Sequence, residues 1–476
     1  MGRLGCILLL VLMGAAANAE SPYARWSHGP STDPAYFPIG VWLQDPAHAE
    51  GYQEIGINLY VGLWQGPTEA QLAVLTQAGM RVICAQNAAG LRHWDDPIIA
   101  GWLQPDEPDN VPPVPRADIV AGYERMLHWD ATRPVLLNFG QGVANREYRG
   151  RGINYGDYPK YALGADILSF DVYPVAGVGD PRTLWYVARG VDSLRTLTQD
   201  SKPAWNFIET TRINSTWRKA TPRQVRAEVW MSLIHGSQGI VYFAHEWQPV
   251  FREARLLEDE EMAAAVRRIN AGIHNLAPVL NSADVPGVAT LSSANPAVPV
   301  DILTKQHNGY VYLFAASMRA GETSASFQLA DAPPGRMTVQ VLQEERSIDV
   351  IDGAFADEFV DFDVHLYRWQ SSSMTAVTDL SPALPATFGL QPNHPNPFNG
   401  ETNFRFELPA GERVARLDIF DLAGQRVAGI ERVGAGVHHW TWDGRGTAGM
   451  TLATGVYVAR LRMGSATRTR RLLLLR

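Results

Sequence analysis

The first half of the chain alternates short apolar runs with segments of helical periodicity. The apolar runs contain few polar positions, which is typical of parallel strands buried on both faces. Between them, Thr68–Ala78 begins at a capping threonine and ends before Gly79, and Thr221 is followed by proline at the first helical position. Helices are also predicted over Val114–Trp129 and Leu184–Thr198, and the helix after Thr221 is predicted to reach His235. Eight strands are predicted: Phe37–Leu43, Ile57–Leu63, Arg81–Gln86, Ile98–Gln104, Pro134–Phe139, Ile167–Tyr173, Pro203–Ile208 and Gly239–Ala244.

Eight strand–helix units in succession predict an α/β fold, a (β/α)8 TIM barrel. After residue 277 the pattern changes to short alternating strands separated by Gly, Pro, Asn and Asp, which predicts an antiparallel β-sandwich. A Ser/Thr/Pro/Ala-rich stretch without periodicity is interpreted as a linker, and another small all-β module follows it. The predicted organisation is a signal peptide (1–19), a catalytic barrel (20–276), a β-sandwich (277–371), a linker (372–387) and a C-terminal β-sandwich (388–476).

The N-terminus has the pattern of a secretory signal peptide. Arg3 precedes the apolar run Ile7–Met13, and Ala17-Asn18-Ala19 offers a cleavage site. No later segment is apolar for long enough to span a bilayer, so we expect an exported protein without a transmembrane segment. The formal net charge of −8 argues against a nucleic-acid partner.

Cysteine usage predicts neither a disulfide framework nor a cysteine metal site. Cys6 leaves with the signal peptide, and Cys84 lies in an apolar strand, where a buried thiol is expected. His235 and His245 are interpreted as hydrogen-bonded histidines at element ends rather than as a metal pair. We therefore expect no metal and no cofactor.

Two glutamates stand where predicted strands meet loops. Glu107 follows the fourth strand, with Pro108 fixing the turn after it, and Glu209 ends the seventh strand. The carboxyl ends of barrel strands form one face, so these two side chains could converge although 102 residues separate them in sequence. Cleavage of a glycosidic bond requires one carboxylic acid and a second carboxylate that attacks or activates water.

This layout, with Asp106-Glu107-Pro108 after strand four and Phe207-Ile208-Glu209 at the end of strand seven, resembles the large clan of retaining (β/α)8 glycoside hydrolases over about residues 35–275. The resemblance implies that Glu107 is the acid/base and Glu209 the nucleophile. It further implies that Tyr173 hydrogen-bonds the nucleophile and that Trp247 forms a sugar platform. The chain departs from the clan at Asp106, where an asparagine that contacts the sugar 2-hydroxyl is usual.

Other side chains at strand ends extend the predicted site. Glu246 could bind substrate or replace Glu209, whereas Asp171 is given a substrate-binding or supporting role. Aromatic faces stack on sugar rings, and amides bond hydroxyl groups. The remaining substrate-binding candidates are Trp42, Trp64, Asp106, Asn138 and His245.

The last module carries several motifs in order. These are Asn393-His394-Pro395-Asn396-Pro397-Phe398-Asn399, Leu417–Gln425, Trp442-Asp443-Gly444 and Thr454-Gly455-Val456-Tyr457. They resemble the immunoglobulin-like, FlgD-like C-terminal sorting module of the type IX secretion pathway. The resemblance implies recognition by the export machinery and a secreted or cell-surface location.

Taken together, the sequence predicts an exported retaining glycoside hydrolase that acts on an oligo- or polysaccharide. One alternative is a non-catalytic glycan-binding surface protein on the same barrel. Another is a barrel hydrolase for esters or amides, which is disfavoured because the chain has no G-x-S-x-G elbow and no metal-ligand spacing.

Overall fold

A computed structural model describes residues 21–145, 151–330, 332–371, 388–390, 393, 396–400, 402–408, 414–433, 436–446, 450–464 and 466–475. The predicted signal peptide (1–19) and linker (372–387) lie outside these residues. The chain divides into two compact units, 1–374 and 375–476. No helix in the described ranges is long and apolar enough to cross a membrane.

The first eight strands form a parallel barrel, which confirms the predicted fold class. Their bounds are Ile39–Trp42 (β1), Leu59–Val61 (β2), Arg81–Cys84 (β3), Ile99–Leu103 (β4), Val135–Phe139 (β5), Ile167–Phe170 (β6), Asn206–Glu209 (β7) and Ile240–Phe243 (β8). They are hydrogen-bonded in the order β6-β5-β4-β3-β2-β1-β8-β7. The ring closes between β6 and β7, where Trp205 N donates to Leu168 O at 2.8 Å and Leu168 N donates to Pro203 O at 3.0 Å.

Nine α-helices are found among the described residues. They are Ala49–Glu54 (α1), Glu69–Ala78 (α2), Ala88–Arg92 (α3), Arg116–Trp129 (α4), Tyr158–Tyr161 (α5), Tyr186–Thr198 (α6), Pro222–Ile234 (α7), Arg255–Glu258 (α8) and Glu260–Leu280 (α9).

The helix ends follow local capping chemistry. Thr68 and Thr221 each form a capping box with the glutamine three residues later, and Gly79 ends α2 in the left-handed conformation. Helix α4 begins at Arg116 rather than at the predicted Val114. The reason is Pro115, because a residue that precedes proline is sterically disfavoured in helical backbone.

Eight antiparallel strands follow the barrel. They are Ala289–Ser293 (β9), Val300–His307 (β10), Tyr310–Ser317 (β11), Glu322–Leu329 (β12), Arg336–Val341 (β13), Arg346–Ile351 (β14), Ala354–Val360 (β15) and Val364–Gln370 (β16). Their hydrogen-bonded order is β10-β11-β16-β13-β14-β15-β12-β9. The sheet folds over on itself, since the rings of Phe327 and Tyr367 lie 5.4 Å apart although three strands separate β12 from β16. This is the predicted antiparallel sandwich.

The sandwich packs directly on helix α7 of the barrel. The rings of Trp230 on α7 and Phe314 on β11 are 5.3 Å apart. His235, just after the same helix, contacts Asp301 of β10 at 3.2 Å, and Arg226 within the helix donates to Val364 O at 2.9 Å. The barrel and the sandwich therefore share one buried interface.

The second unit is a β-sandwich of two antiparallel sheets. One sheet contains Gly389–Leu390 (β17), Thr402–Leu408 (β18) and Gly436–Trp442 (β21). The other contains Arg426–Val433 (β20), Val414–Phe420 (β19), Gly455–Met463 (β22) and Ala466–Leu474 (β23). The Trp442 ring lies 5.7 Å from Phe398 and 6.0 Å from Tyr457 in a common core. The predicted domain boundaries remain predictions.

A buried arginine ties the segment before β4 to the segment before β5. The Arg133 side chain is fully buried, and its Nη1 donates to the Asp130 carboxylate at 2.7 Å. Its Nε donates to Ile99 O at 2.8 Å, and its Nη2 donates to Asp96 O at 2.8 Å.

We expect Arg133→Met to lower the free energy of unfolding by about 3–5 kcal/mol, because the change leaves the buried Asp130 carboxylate without its cation. Arg125→Met, at an exposed position on α4, should change it by no more than about 0.5 kcal/mol. Urea unfolding followed by tryptophan fluorescence checks both variants. Equal losses in the two variants would contradict this role for Arg133.

Candidate active site

The backbone at the carboxyl end of β5 is hydrogen-bonded to two acidic residues, one from the strand on each side. Glu107, after β4, donates its backbone N–H to Asn138 O at 3.0 Å. Asp171, after β6, donates its backbone N–H to Phe139 O at 3.0 Å. Two consecutive carbonyls of one strand therefore set the spacing of Glu107 and Asp171 in the barrel mouth.

Glu107 is half-buried and bonded on two sides. Asn110 Nδ2 donates to Glu107 Oε2 at 2.8 Å, and the Asp171 carboxyl forms a hydrogen bond with the Glu107 carboxyl. The backbone at Glu107 has φ +43°, a left-handed conformation that is uncommon for a residue with a side chain. Such strained positions cluster at functional sites.

Asp171 is the member of this pair that holds a proton. Burial raises its pKa well above the usual range, and the negative charge of Glu107 raises it further. The nearby Tyr173 hydroxyl opposes this rise by favouring the ionised form of Asp171. Among the described residues, the buried Asp171 Oδ1 has no hydrogen-bond partner. The Asp171 carboxyl is thus a proton donor placed against Glu107.

Asp106 and Asn138 form the adjoining part of the mouth. Asn138 is buried, and its Nδ2 donates to Asp106 Oδ1 at 3.0 Å while Ser169 Oγ donates to Asn138 Oδ1 at 2.9 Å. Asp106 as a whole residue is exposed to solvent. Its carboxyl group is nevertheless partly desolvated by neighbouring protein atoms, and this desolvation raises the pKa of the carboxyl group. Glu107 and Asp109 add to the rise by charge repulsion, and the Asn138 amide opposes it.

Glu209 ends β7 but is fully buried. Its Oε1 accepts from Val175 N at 2.6 Å and its Oε2 accepts from Ala176 N at 2.5 Å. Both amides belong to a single π-helical turn, Pro174–Val178, after β6. The two oxygens that would face a sugar are therefore covered in this conformation.

A second buried carboxyl lies against Glu209. Glu228 of α7 is fully buried, and its carboxyl group interacts with that of Glu209. Burial raises the pKa of Glu209 to about 7, opposed by the Val175 and Ala176 amides and by Glu228. The pKa of Glu228 is raised well above its usual range, first by burial and then by the charge of Glu209. Because two backbone amides stabilise only Glu209, Glu228 is the protonated member of the pair.

The structure thus brings Glu107 together with Asp171, whereas the contacts of Glu209 are with Val175, Ala176 and Glu228. The resemblance implies a bond from Tyr173 to the nucleophile, but the carboxyl beside Tyr173 is that of Asp171. This difference arises because the turn after Tyr173 presents backbone amides, rather than the phenol, to Glu209.

Glu246 is buried and paired with two arginines. Arg212 approaches it with Nε at 3.0 Å and Nη2 at 3.1 Å, and Arg255 Nε lies 3.4 Å away. Its backbone N–H donates to Arg252 O at 2.9 Å. These contacts hold the loop after β8 and commit both carboxylate oxygens.

An aromatic cavity of about 520 Å³ opens at the ends of β1, β2 and β8. Trp64 is 68% exposed and Trp247 is 51% exposed, whereas Trp42 is buried. The Tyr173 and Phe243 rings, 5.2 Å apart, connect this cavity to the carboxyl cluster, which consists of Asp106, Glu107 and Asp171. The lining residues are Trp42, Leu43, Gln44, Asp45, Trp64, Gln71, Phe243, His245, Trp247, Phe251 and Glu253.

His245 forms the inner wall of the aromatic cavity. Its ring centroid lies 6.1 Å from that of Trp247 and 5.9 Å from that of Phe251, with both pairs stacked. Gln44 Nε2 lies 3.1 Å from His245 Nε2. Desolvation lowers the pKa of His245 to about 4, so the imidazole is neutral at physiological pH.

The site also contains four residues that the sequence pattern does not predict: Glu228, Asn110, Gln44 and Phe251. Of these four residues, only Glu228 could be found from the sequence. It is a charged residue on the face of α7 that is otherwise buried, one helical turn before the buried Ser232. In the described parts of the chain, no group of three or more His, Cys, Asp or Glu side chains could hold a metal ion.

A (β/α)8 barrel with titratable side chains at the carboxyl ends of its strands is the arrangement found in barrel enzymes. A model of the FlgD Ig-like domain family matches residues 393–466. No curated protein matches the chain in sequence.

Several solved barrel structures overlap with the chain at low identity. A putative α-galactosidase/melibiase from Bacteroides fragilis is 9% identical at a TM-score of 0.46, covering 71% of this chain and 79% of that one. An α-amylase from Geobacillus thermoleovorans is 10% identical at 0.44, covering 71% and 98%. A GH30 endoxylanase from Clostridium papyrosolvens is 10% identical at 0.38, covering 70% and 96%. Overlaps of this size carry no argument about activity, which must come from the site.

The buried Glu209–Glu228 pair makes stability depend on pH. In the unfolded chain both carboxyls ionise near their ordinary values, whereas the folded pKa of Glu209 is about 7 and that of Glu228 is also raised. Between the ordinary glutamate pKa of 4.5 and the folded value of about 7, the folded protein therefore holds more protons than the unfolded chain. The free energy of unfolding falls as pH rises through this range.

Replacing Glu228 by glutamine should flatten this fall by up to about 1.4 kcal/mol per pH unit, since one titrating group is lost while an amide donor to Glu209 remains. Urea unfolding across the acidic to neutral range measures the slope. Glu124→Gln, at an exposed site on α4, should keep the wild-type slope. An unchanged slope in the Glu228 variant would show that Glu228 is not the protonated member of the buried pair.

Proposed function

We propose that this chain is an exported glycoside hydrolase that cleaves O-glycosidic bonds of an oligo- or polysaccharide. The observation that carries the proposal is the aromatic cavity beside a carboxyl cluster at the carboxyl ends of the barrel strands. Aromatic faces bind sugar rings, and a carboxylic acid next to such a platform can protonate a glycosidic oxygen.

In the proposed mechanism Glu107 is the acid/base and Glu209 is the nucleophile. Glu107 takes the proton that Asp171 holds and passes it to the leaving oxygen while Glu209 attacks the anomeric carbon. Glu107 then deprotonates the water that releases the sugar, and this proton returns to Asp171. Asp171, bonded to Glu107, positions the acid. Asp106 and Asn138 lie at the same mouth and would bind sugar hydroxyls, and Trp64 and Trp247 would support the rings.

This mechanism requires Glu209 to become accessible. Its two oxygens accept the amides of Val175 and Ala176, so the turn Pro174–Val178 must withdraw before the carboxylate can reach a substrate. A raised pKa is also unfavourable for a nucleophile. Opening to water would relieve the desolvation, which is the largest cause of the raised pKa, while removing the two amide bonds that oppose it.

We expect Glu107→Gln to reduce kcat by ~10²- to 10⁴-fold, because general acid catalysis is lost. Glu209→Gln should reduce kcat by an amount on the order of 10⁴-fold, because no covalent intermediate can form. Release of reducing ends from a panel of oligosaccharides measures both, and NMR of the first-formed anomer tests retention of configuration.

Glu228→Gln is the matched control, because it alters the same buried pair without touching the sugar. It should retain activity within about tenfold. If Glu228→Gln and Glu209→Gln lose activity equally, Glu209 is a structural carboxylate and the assigned nucleophile is wrong.

The burial of Glu209 favours a second candidate function, that of a non-catalytic glycan-binding protein. In that case the wild-type chain binds oligosaccharides but releases no reducing ends at any pH. Trp247→Ala would then abolish binding, and Glu107→Gln would leave it unchanged.

We further propose that the signal peptide directs inner-membrane export and that residues 388–476 engage the type IX machinery. Deletion of 388–476 should leave the protein in the periplasm of a host with that pathway, whereas Glu107→Gln should be exported normally. Fractionation followed by immunoblotting measures the location, and export of the truncated chain would exclude this role.

A further inference from the structure

The aromatic cavity carries an uncompensated negative charge. Asp45 and Glu253 both line it, and no lysine or arginine does. Neither carboxylate forms an ion pair with a described residue. The Asp45 backbone N–H donates to Glu253 Oε1 at 2.9 Å, so the Glu253 carboxylate lies against the main chain of Asp45. Two carboxylates at one wall repel each other unless a cation joins them.

Nothing in the lining of the cavity offsets this charge. The only other titratable side chain there is His245, whose pKa is lowered by desolvation, so the imidazole stays neutral. The negative charge of these carboxylates also acts on the barrel. Burial raises the pKa of Tyr60, and the charges of Asp45 and Glu253 raise it further.

Aromatic faces surround the same space. Trp247 and Phe251 have ring centroids 4.9 Å apart, and the largely exposed Trp64 ring also lines the cavity. A cation is attracted to the face of an aromatic ring, most strongly to tryptophan. Rings and carboxylates together make a site whose complement is an apolar ring surface bearing a positive charge.

We propose that this cavity is a subsite for a sugar that carries a free, protonated amine. The inference rests on the proposed action on carbohydrate and adds the substrate class. The ammonium group would lie between Asp45 and Glu253, with the sugar ring against Trp64 or Trp247. An N-acetylated sugar would leave the carboxylates unpaired, and a uronic acid would be repelled by them.

Isothermal titration with β-1,4-linked oligomers of glucosamine, N-acetylglucosamine, glucose and glucuronic acid tests the assignment. At a pH below the pKa of the sugar amine, the glucosamine oligomer should bind at least ~10-fold more tightly than the glucose oligomer. The preference should shrink as salt rises to about 0.15 M, because exposed charges are then screened.

Asp45→Asn and Glu253→Gln remove each charge but keep the local bonds. The first variant retains a side-chain oxygen that can accept the Ala47 N–H, the bond that caps residues Pro46–His48. The second retains a side-chain oxygen that can accept the backbone N–H of Asp45. Each variant should lose about 3- to 10-fold of the affinity for the glucosamine oligomer and none for the glucose oligomer, because one solvent-accessible ion pair is lost. Glu124→Gln should match the wild type for both.

Equal affinity for the amine-bearing and neutral oligomers, or equal loss for both in the two variants, would overturn the subsite. Hydrolysis of neutral oligomers without amine preference would leave the proposed function standing and the subsite wrong. Amine-selective binding without hydrolysis would leave the subsite standing and the hydrolase assignment wrong.

Discussion

The hydrogen bonds that close the parallel ladder between β6 and β7 are the constraint on which the rest of the barrel depends. Leu168 and the segment Pro203–Trp205 exchange backbone bonds there, and this joins the two ends of an eight-strand sheet into a ring. Closure places every strand's carboxyl end on one face. Side chains that are far apart in sequence, such as Glu107 and Asp171, consequently meet at one mouth.

Within that mouth, two pairs of carboxyl groups lie in different surroundings. Glu107 and Asp171 are partly open to solvent, whereas Glu209 and Glu228 form a sealed pair that is fully buried, with two backbone amides covering Glu209. In each pair one carboxyl keeps its proton, because two like charges at contact distance in a poorly hydrated site cannot both ionise. The open pair can exchange protons with a bound ligand, and the sealed pair first requires the movement of a turn.

Much of the architecture could be predicted from the sequence because the determining signals are local. Eight continuous apolar runs identified the barrel strands, and threonine caps identified the starts of α2 and α7. The sequence pattern places the start of α4 two residues too early, because Pro115 disfavours helical backbone at Val114. Glu107 and Glu209 are predicted as site residues because they stand at the carboxyl ends of predicted strands. The covering of Glu209 could not be predicted, since it depends on amides from a turn after β6 and on a carboxyl from α7, which only tertiary packing brings together.

Helix α7 links the two halves of the first unit. Its Glu228 reaches the end of β7 on one side, and its Trp230 packs against Phe314 of the sandwich on the other. The β-sandwich therefore packs against the helix that carries one member of the barrel's sealed carboxyl pair. Recombination that exchanged this sandwich for an unrelated module would have to re-create a partner for Trp230, so the barrel and its sandwich are constrained to evolve as one inherited piece.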